Sequence, residues 1–247
     1  MKKLERLDKA MAPDGTVLTL FRHDREYLIR VGDVTLMSTR QHHSEETIAE
    51  LACSPLREKP NAHVLVGGLG FGFTLAAVLR MLRADARVVV AEIVAAIIDW
   101  NRNPDYELAD RWLRDERVDL RHDDVSNIIR NSVGAFDAII LDVDNGADAL
   151  TTAGNKQLYS DSGIRAAAAA LRPNGRLAYW SAGDDPAFAT LLRRAGHVVE
   201  TTRARRHEGS RGTHTIFVVE RGPLAEPNPI QASVPYPIRS PPKPMLP

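Results

Sequence analysis

The segment HVLVGGLGFGFT, residues 63–74, runs from a short apolar strand into a turn that contains Gly67, Gly68, Gly70 and Gly72. A helix is predicted to begin just beyond this turn. Glycine suits the turn because the chain must bend sharply, and because a side chain at Gly68 or Gly70 would keep the backbone away from a ligand. The succession of strand, glycine turn and helix therefore predicts a site for a nucleotide-like cofactor.

The next apolar run, VVVAEI, contains Glu92, twenty positions after Gly72. An acidic residue at this distance is expected at the end of a second parallel strand, where the ribose of an adenosine would lie. We interpret Glu92 as the acceptor for both ribose hydroxyls, and the alternative is a cap for a helix that starts at Val94. Together, the glycine turn and Glu92 predict an adenosine-bearing cofactor without identifying it.

Strands and helices are predicted to alternate from His63 onward. The strands fall at 63–67, 87–92, 117–121, 136–142 and 175–181, and the helices near 73–83, 94–102, 125–131, 156–171 and 185–195. After Gly196 two strand-like runs, HVVETTRA and THTIFVVERG, follow each other without a helix. The fold class is therefore predicted to be α/β, with a Rossmann-like sheet of the methyltransferase type in which parallel strands end in an antiparallel β-hairpin.

A small antiparallel β region is predicted ahead of this sheet. Residues Thr16–Ser38 form three alternating runs separated by turn signals. Ser44 is then predicted to cap a helix that continues to about Ala52, with Glu45 and Glu46 in its first turn.

The chain is accordingly divided into three parts: residues 1–60, with the β region and the helix; 61–221, with the cofactor-binding catalytic domain; and 222–247, an extended tail. The tail holds nine of the 15 prolines. Such a segment has too few large apolar residues to build a core.

Composition narrows the range of partners. Lysine plus arginine equals aspartate plus glutamate, at 32 each, so no overall field favours nucleic acid or an anionic membrane. The start, MKKLERLDKA, lacks the apolar core of a secretory signal, and no apolar run approaches the roughly 20 residues of a membrane span. We therefore expect a cytoplasmic protein.

The single cysteine, Cys53, excludes an internal disulfide, and the adjacent His42 and His43 lack metal-ligand spacing, so no metal is expected.

Acidic residues also follow the third and fourth predicted strands. Because a ligand on an open parallel sheet binds at the carboxyl ends of the strands, these residues are candidates for the site. Asp123 and Asp124 are predicted to accept a hydrogen bond from the adenine amino group, or to cap the helix that follows. The next segment, LDVDNG, places Asp142, Asp144 and Asn145 at the same edge.

Asp142 is the first candidate for chemistry, and Asp144 is the second. An alkylamine that attacks a carbon bonded to a sulfonium must first lose a proton, and its pKa of about 10.4 keeps it charged at neutral pH. A carboxylate at the strand end can orient the ammonium group and accept that proton. The alternative for both aspartates is a local turn that ends the strand.

These motifs resemble those of the spermidine synthase (polyamine aminopropyltransferase) family over roughly residues 16–220. The family's GGGDGG turn corresponds to Gly67–Gly72, and its ribose-binding acid corresponds to Glu92. Its adenine-contacting acid corresponds to Asp124, and its DSSDP loop corresponds to residues 142–146, DVDNG. The resemblance implies decarboxylated S-adenosylmethionine as cofactor, a small amine as substrate and a homodimer.

This sequence departs from the family's motifs at three places, and all three concern residues near the group that is transferred. Gly70 replaces the family's aspartate that faces the aminopropyl amine, and Asn145 replaces the second aspartate of DSSDP. The family's tyrosine-histidine-glutamate segment is replaced by residues 46–50, ETIAE. Asp144, Asp148 and Glu46 are candidate replacements for the missing carboxylates.

Several functions stay open at this point. The first is aminopropyl transfer with release of methylthioadenosine, and the second is methyl transfer from S-adenosylmethionine on the same scaffold. The third is a homologue that has lost catalysis and acts as an assembly or regulatory partner. A nicotinamide-dependent dehydrogenase is the fourth, although Phe73 occupies the third glycine position of its fingerprint.

Overall fold

The computed structural model describes residues 4–143, 155–207, 209–210 and 212–221, with only the backbone of Asn155 and Lys156. Asp144, Asn145, Asp148 and the proline-rich tail therefore lie outside the described residues. The chain forms a four-stranded sheet followed by a seven-stranded sheet. The division of the chain at residues 60 and 221 stays a prediction.

The small sheet is antiparallel, as the sequence predicts. Its strands are β1 (Glu5–Met11), β2 (Val17–His23), β3 (Glu26–Val31) and β4 (Val34–Ser38), which lie side by side in that order. The first strand was not predicted, because ERLDKAM carries no apolar alternation. β1 pairs with β2, and Asp8 accepts a hydrogen bond of 2.6 Å from the indole nitrogen of Trp100.

The first helix, α1 (His43–Cys53), follows the small sheet and continues into a 3₁₀ turn at Ser54–Leu56. The prediction that Ser44 caps this helix is wrong. His42 precedes the helix, and Ser44 lies inside its first turn, fully buried. Its hydroxyl bonds the carboxylate of Glu45 instead of a backbone N–H group.

The large sheet has the predicted methyltransferase-type arrangement, with the strand order β10-β11-β9-β8-β5-β6-β7. The strands are β5 (His63–Gly67), β6 (Arg87–Glu92), β7 (Val118–His122), β8 (Phe136–Leu141), β9 (Leu171–Ser181), β10 (Val199–Arg205) and β11 (Thr213–Glu220). β5 to β9 are parallel to one another, whereas β11 is antiparallel to both β9 and β10. The predicted fold class, including the terminal hairpin, is confirmed.

Helices cover both faces of this sheet. They are α2 (Phe73–Met81), α3 (Ala95–Arg102), α4 (Asp110–Leu113), α5 (Val125–Arg130), α6 (Asn155–Leu158), α7 (Asp161–Ala170) and α8 (Pro186–Arg194). Alternate strand residues belong to two separate apolar clusters: Val64 and Val66 face one, and Leu65 faces the other. None of the described helices is both long and apolar enough to cross a bilayer.

One predicted helix, at 156–171, is in fact two. α6 ends at Leu158, and the hydroxyl of Ser160 then accepts a hydrogen bond of 3.2 Å from the backbone of Gly163 to cap α7. Residues from Leu171 onward already belong to β9, so this strand also begins earlier than predicted.

The order of the strands creates the opening in which a ligand can bind. The chain moves outward from β5 through β6 to β7, and then returns to place β8 on the other side of β5. At such a switch point the connections diverge and leave a crevice beyond the carboxyl ends of the strands. The glycine turn follows β5 directly and therefore lies at this crevice.

Gly72, at the start of α2, provides a test of how tightly this turn is packed. Its φ is +77°, and an added Cβ would lie 2.5 Å from the Cβ of Ala109. We expect Gly72→Ala to lower the free energy of unfolding by about 3 kcal/mol, since backbone strain and overpacking add. Gly15→Ala is the matched control, because Gly15 has a φ of +87° but no atom within 4 Å of an added Cβ.

The control should cost only about 1 kcal/mol, because it adds the backbone strain alone. Urea unfolding of the two variants and the wild type measures the difference. Equal losses for the two variants would contradict the close packing of the turn against Ala109.

Candidate functional site

A cavity lies at the carboxyl edge of the large sheet, between the sheet and the N-terminal region. Its wall combines the glycine turn, the residues that end the strands, and side chains from the small sheet and α1. These include Leu18, Leu36, Met37, Glu45, Gly68, Leu69, Gly70, Phe71, Thr74, Glu92, Asp123, Asp124, Asp142 and Trp180. The predicted site residues within the described part of the chain therefore converge, apart from two of the glycines and Glu46.

The four glycines divide into two pairs. Gly68 and Gly70 line the cavity, whereas Gly67 and Gly72 lie against Val125 and Ala109 and support the turn. At Gly68 the φ is +92°, and an added Cβ would lie 2.2 Å from the carbonyl oxygen of Asp142. Glycine is thus required at position 68 by the backbone at the end of β8.

Glu92 is buried at the end of β6 and connects two parts of the site. Its carboxylate accepts hydrogen bonds from the backbone N–H groups of Leu69, at 3.0 Å, and Val94, at 2.8 Å. Burial raises the pKa of Glu92, and these backbone bonds oppose the shift. The contact with Val94 is the predicted alternative to ribose binding, yet a carboxylate has about four acceptor positions, so both roles are compatible.

Asp123 and Asp124 line the cavity beyond β7 and also have local structural partners. Asp124 caps α5 by accepting a hydrogen bond of 2.8 Å from the backbone of Ser126. One carboxylate oxygen of Asp123 accepts from the backbone of Asp124 and the amide of Asn127, at 2.7 and 2.9 Å. The predicted cap is thus present, and adenine binding by these residues stays a prediction.

Asp142 follows β8 and lies beside the first turn of α2. Its carboxylate accepts a hydrogen bond of 2.6 Å from the hydroxyl of Thr74, and its backbone N–H donates to the carbonyl of Gly67 at 2.9 Å. Burial raises the pKa of Asp142 to about 6, although the Thr74 hydroxyl opposes the shift. A carboxylate in this state is a stronger base than an exposed aspartate.

Glu45, on α1, is a site residue that the sequence analysis did not predict. It lines the cavity with Asp142, and burial, followed by the charge of Asp142, raises its pKa to about 8. The two acids interact, so near neutral pH the pair retains a proton. Glu46, which the sequence suggested as a replacement carboxylate, bonds Arg80 at 3.3 Å and approaches His42 at 3.5 Å.

A sequence signal for Glu45 does exist. The buried face of α1 contains Ile48, Ala49 and Ala52. Glu45 precedes Ile48 and Ala49 by three and four positions, so it lies on that same face, whereas Glu46 is rotated away. A carboxylate on the apolar face of a helix indicates a buried polar site.

The raised pKa values of the two acids predict a pH dependence of stability. A carboxyl group whose pKa is higher in the folded state gives stability that is present at low pH and is lost as pH rises. For Glu45 the window runs from the ordinary value of 4.5 to about 8. We expect Glu45→Gln to lose less free energy of unfolding between pH 5 and pH 8 than the wild type does.

Urea unfolding at a series of pH values measures this dependence. Glu46→Gln is the control, because it removes a neighbouring carboxylate that bonds Arg80. Its pH dependence should stay close to that of the wild type, because the charge of Glu46 is the smallest of the causes that raise the pKa of Glu45. Identical pH dependence for Glu45→Gln and the wild type would show that Glu45 is not held beside Asp142.

Comparison with known proteins agrees with the predicted resemblance. No model of a known protein family matches the chain. Over 158 residues the chain is 32% identical to the polyamine aminopropyltransferases of two strains of Leptospira biflexa serovar Patoc, Patoc 1 / Ames and Patoc 1 / Paris. The alignment covers 61% of this chain and 53% of each relative, so the chain matches about half the length of these relatives.

Solved structures of spermidine synthases have a fold similar to that of this chain. The spermidine synthase from Thermotoga maritima matches with a TM-score of 0.70 and 16% identity, over 88% of this chain and 73% of that one. A spermidine synthase in complex with the transition-state analogue AdoDATO has a TM-score of 0.68, with the same identity and coverage. The resemblance predicted from the motifs is confirmed: this chain has the spermidine synthase fold, and much of its sequence is similar to that of a polyamine aminopropyltransferase.

Proposed function

We propose that this protein is an aminopropyltransferase that uses a decarboxylated S-adenosylmethionine-type cofactor to alkylate a small amine. The names of its relatives support this reaction class. The observation that carries the proposal is the pair of carboxylates, Asp142 and Glu45, on the wall of one cavity. The proposal includes a homodimer and a cytoplasmic location.

The residues of the cavity fit an adenosyl cofactor. Glu92 lines the cavity as the acceptor proposed for the ribose hydroxyls, and Gly68 and Gly70 line the cavity beside it without side chains. Asp123 and Asp124 offer acceptors for the adenine amino group, as the sequence suggests. When bound, the cofactor supplies a carbon activated by a positive sulfonium, and methylthioadenosine is the leaving group.

The two carboxylates suit an amine substrate. An ammonium group is attracted by the negative charge that the pair carries, and Asp142 can then accept its proton. The hydroxyl of Thr74 holds one oxygen of Asp142 at 2.6 Å, which fixes the carboxylate in one orientation. Glu45 would thereby replace a carboxylate that the family pattern has, and that this chain lacks, at Gly70 and Asn145. Asp144 stays a candidate for a second catalytic acid.

Methyl transfer from S-adenosylmethionine is the second candidate function, and the surroundings of Gly70 favour it. An added Cβ at Gly70 would lie 3.4 Å from the sulfur of Met37, so this part of the wall is apolar. No carboxylate at position 70 is available to bind an aminopropyl ammonium group. A methyl group needs no such partner.

Product analysis distinguishes these reactions. We expect the wild-type protein, given diamines of three to five carbons and decarboxylated S-adenosylmethionine, to release methylthioadenosine and an aminopropylated amine. Mass spectrometry of the mixture identifies both products. Formation of S-adenosylhomocysteine from S-adenosylmethionine instead would favour methyl transfer, and no product from either cofactor would favour the non-catalytic homologue.

Asp142→Asn tests the role of the proposed base in the same assay. The amide oxygen can still accept from Thr74, so the site should keep its shape while losing the proton acceptor. We expect kcat to fall by about 10²- to 10⁴-fold, the range typical of general base catalysis. The control is Asp119→Asn, because Asp119 pairs with Arg121 on β7, outside the cavity wall. Normal turnover by Asp142→Asn would remove Asp142 from the mechanism.

A further inference from the structure

A series of hydrogen bonds, called the hydrogen-bond chain below, connects the cavity with the surface through Glu45, Ser44 and His214. The hydroxyl of Ser44 donates to the carboxylate of Glu45 at 2.5 Å and lies 2.9 Å from Nδ1 of His214 on β11. The indole N–H of Trp180, on β9, donates to the same hydroxyl at 3.2 Å. Ser44 is fully buried, whereas His214 is partly exposed. The hydrogen-bond chain therefore connects a carboxylate on the cavity wall with a residue that solvent reaches.

The hydroxyl of Ser44 can both donate and accept hydrogen bonds, so the hydrogen-bond chain can exist in two states. A hydroxyl donates one hydrogen bond and accepts two. In one state Ser44 donates to Glu45 and accepts from Nδ1–H of His214 and from Trp180. In the other, a protonated Glu45 donates to Ser44, and Ser44 donates to an unprotonated Nδ1 of His214. Both states use the one donor and both acceptor positions of the Ser44 hydroxyl, and passage between them moves a proton along the hydrogen bonds.

We propose that Asp142 passes the proton removed from the amine to Glu45, and that Glu45, Ser44 and His214 form the route by which this proton leaves the cavity. This inference rests on the proposed function. In that reaction the amine nitrogen forms a bond to carbon while the carbon–sulfur bond breaks, and the bonding electrons stay on sulfur. The positive charge passes from sulfur to the product nitrogen, so the proton lost by the substrate ammonium must reach solvent in every turnover.

The two ends of this hydrogen-bond chain hold a proton with different strength. At the cavity end, burial and then the negative charges of Asp142 and Glu46 raise the pKa of Glu45, so that Glu45 can hold a proton. At the outer end, burial and the positive charge of Arg206 lower the pKa of His214 to about 4. Transfer of a proton from Glu45 to His214 is therefore uphill, and His214 passes the proton on to solvent rather than keeping it. Ser44 and His214 act through Glu45 and are positioning residues for proton transfer.

The test uses two variants that interrupt the chain, Ser44→Ala and His214→Gln. We expect each to lower kcat for amine transfer at pH 7 by on the order of tenfold, below the 10²- to 10⁴-fold effect of a direct general base. The KM for the amine should stay the same. At pH 10 the loss should nearly disappear, because a substantial fraction of an amine with a pKa of about 10.4 is then already neutral.

Two controls separate proton transfer from a change in structure. Ser44→Thr keeps the hydroxyl and should restore most of the activity. His197→Gln replaces another partly buried histidine whose pKa burial lowers, but one outside the cavity wall, and it should behave as the wild type. A solvent isotope effect on kcat of the unaltered protein, large at pH 7 and small at pH 10, gives a readout that does not depend on the folding of any variant.

Losses that are equal at pH 7 and pH 10, or the absence of any loss, would overturn the proton route and leave the proposed function intact. The absence of amine transfer by the wild-type protein would overturn both.

Discussion

The close approach of the turn after β5 to the end of β8 is the constraint on which the site depends. Only glycine fits at position 68, because the carbonyl oxygen of Asp142 occupies the space of any side chain. The backbone bonds of Asp142 to Gly67 and of Gly68 to Ala91 hold three neighbouring strands together at this edge. As a result, the carboxylate of Asp142 meets Thr74 at the start of α2, and the backbone of the turn faces the cavity.

The N-terminal region completes the cavity that the large sheet begins. Leu18, Met37 and Glu45 come from this region, and its buried residues share one apolar cluster with α2 and α3. The hydrogen bond between Asp8 and Trp100 adds a polar link between the small sheet and α3. The region therefore contributes directly to the site. It supplies the carboxylate of Glu45, which lies on the same cavity wall as Asp142, and the hydroxyl of Ser44, which bonds Glu45.

The parts of the fold that the sequence predicts best have strong local signals. β5 and β6 have the predicted bounds, because apolar runs end there at a glycine turn and an acidic residue. The missed strand β1 is mostly polar and depends on its pairing with β2, which no local pattern reveals. Glu45 was missed because its role depends on how α1 packs against the sheet, and Ser44 because its partners are distant in sequence.

We propose that this cavity holds an adenosyl sulfonium beside a pair of carboxylates. Calorimetric titration of the wild-type protein with decarboxylated S-adenosylmethionine, S-adenosylmethionine and methylthioadenosine tests it most directly. We expect the decarboxylated cofactor and methylthioadenosine to bind, and S-adenosylmethionine to bind at least about tenfold more weakly, because its carboxylate would approach two acids. Tighter binding of S-adenosylmethionine than of its decarboxylated form, or binding of none of the three, would contradict the account.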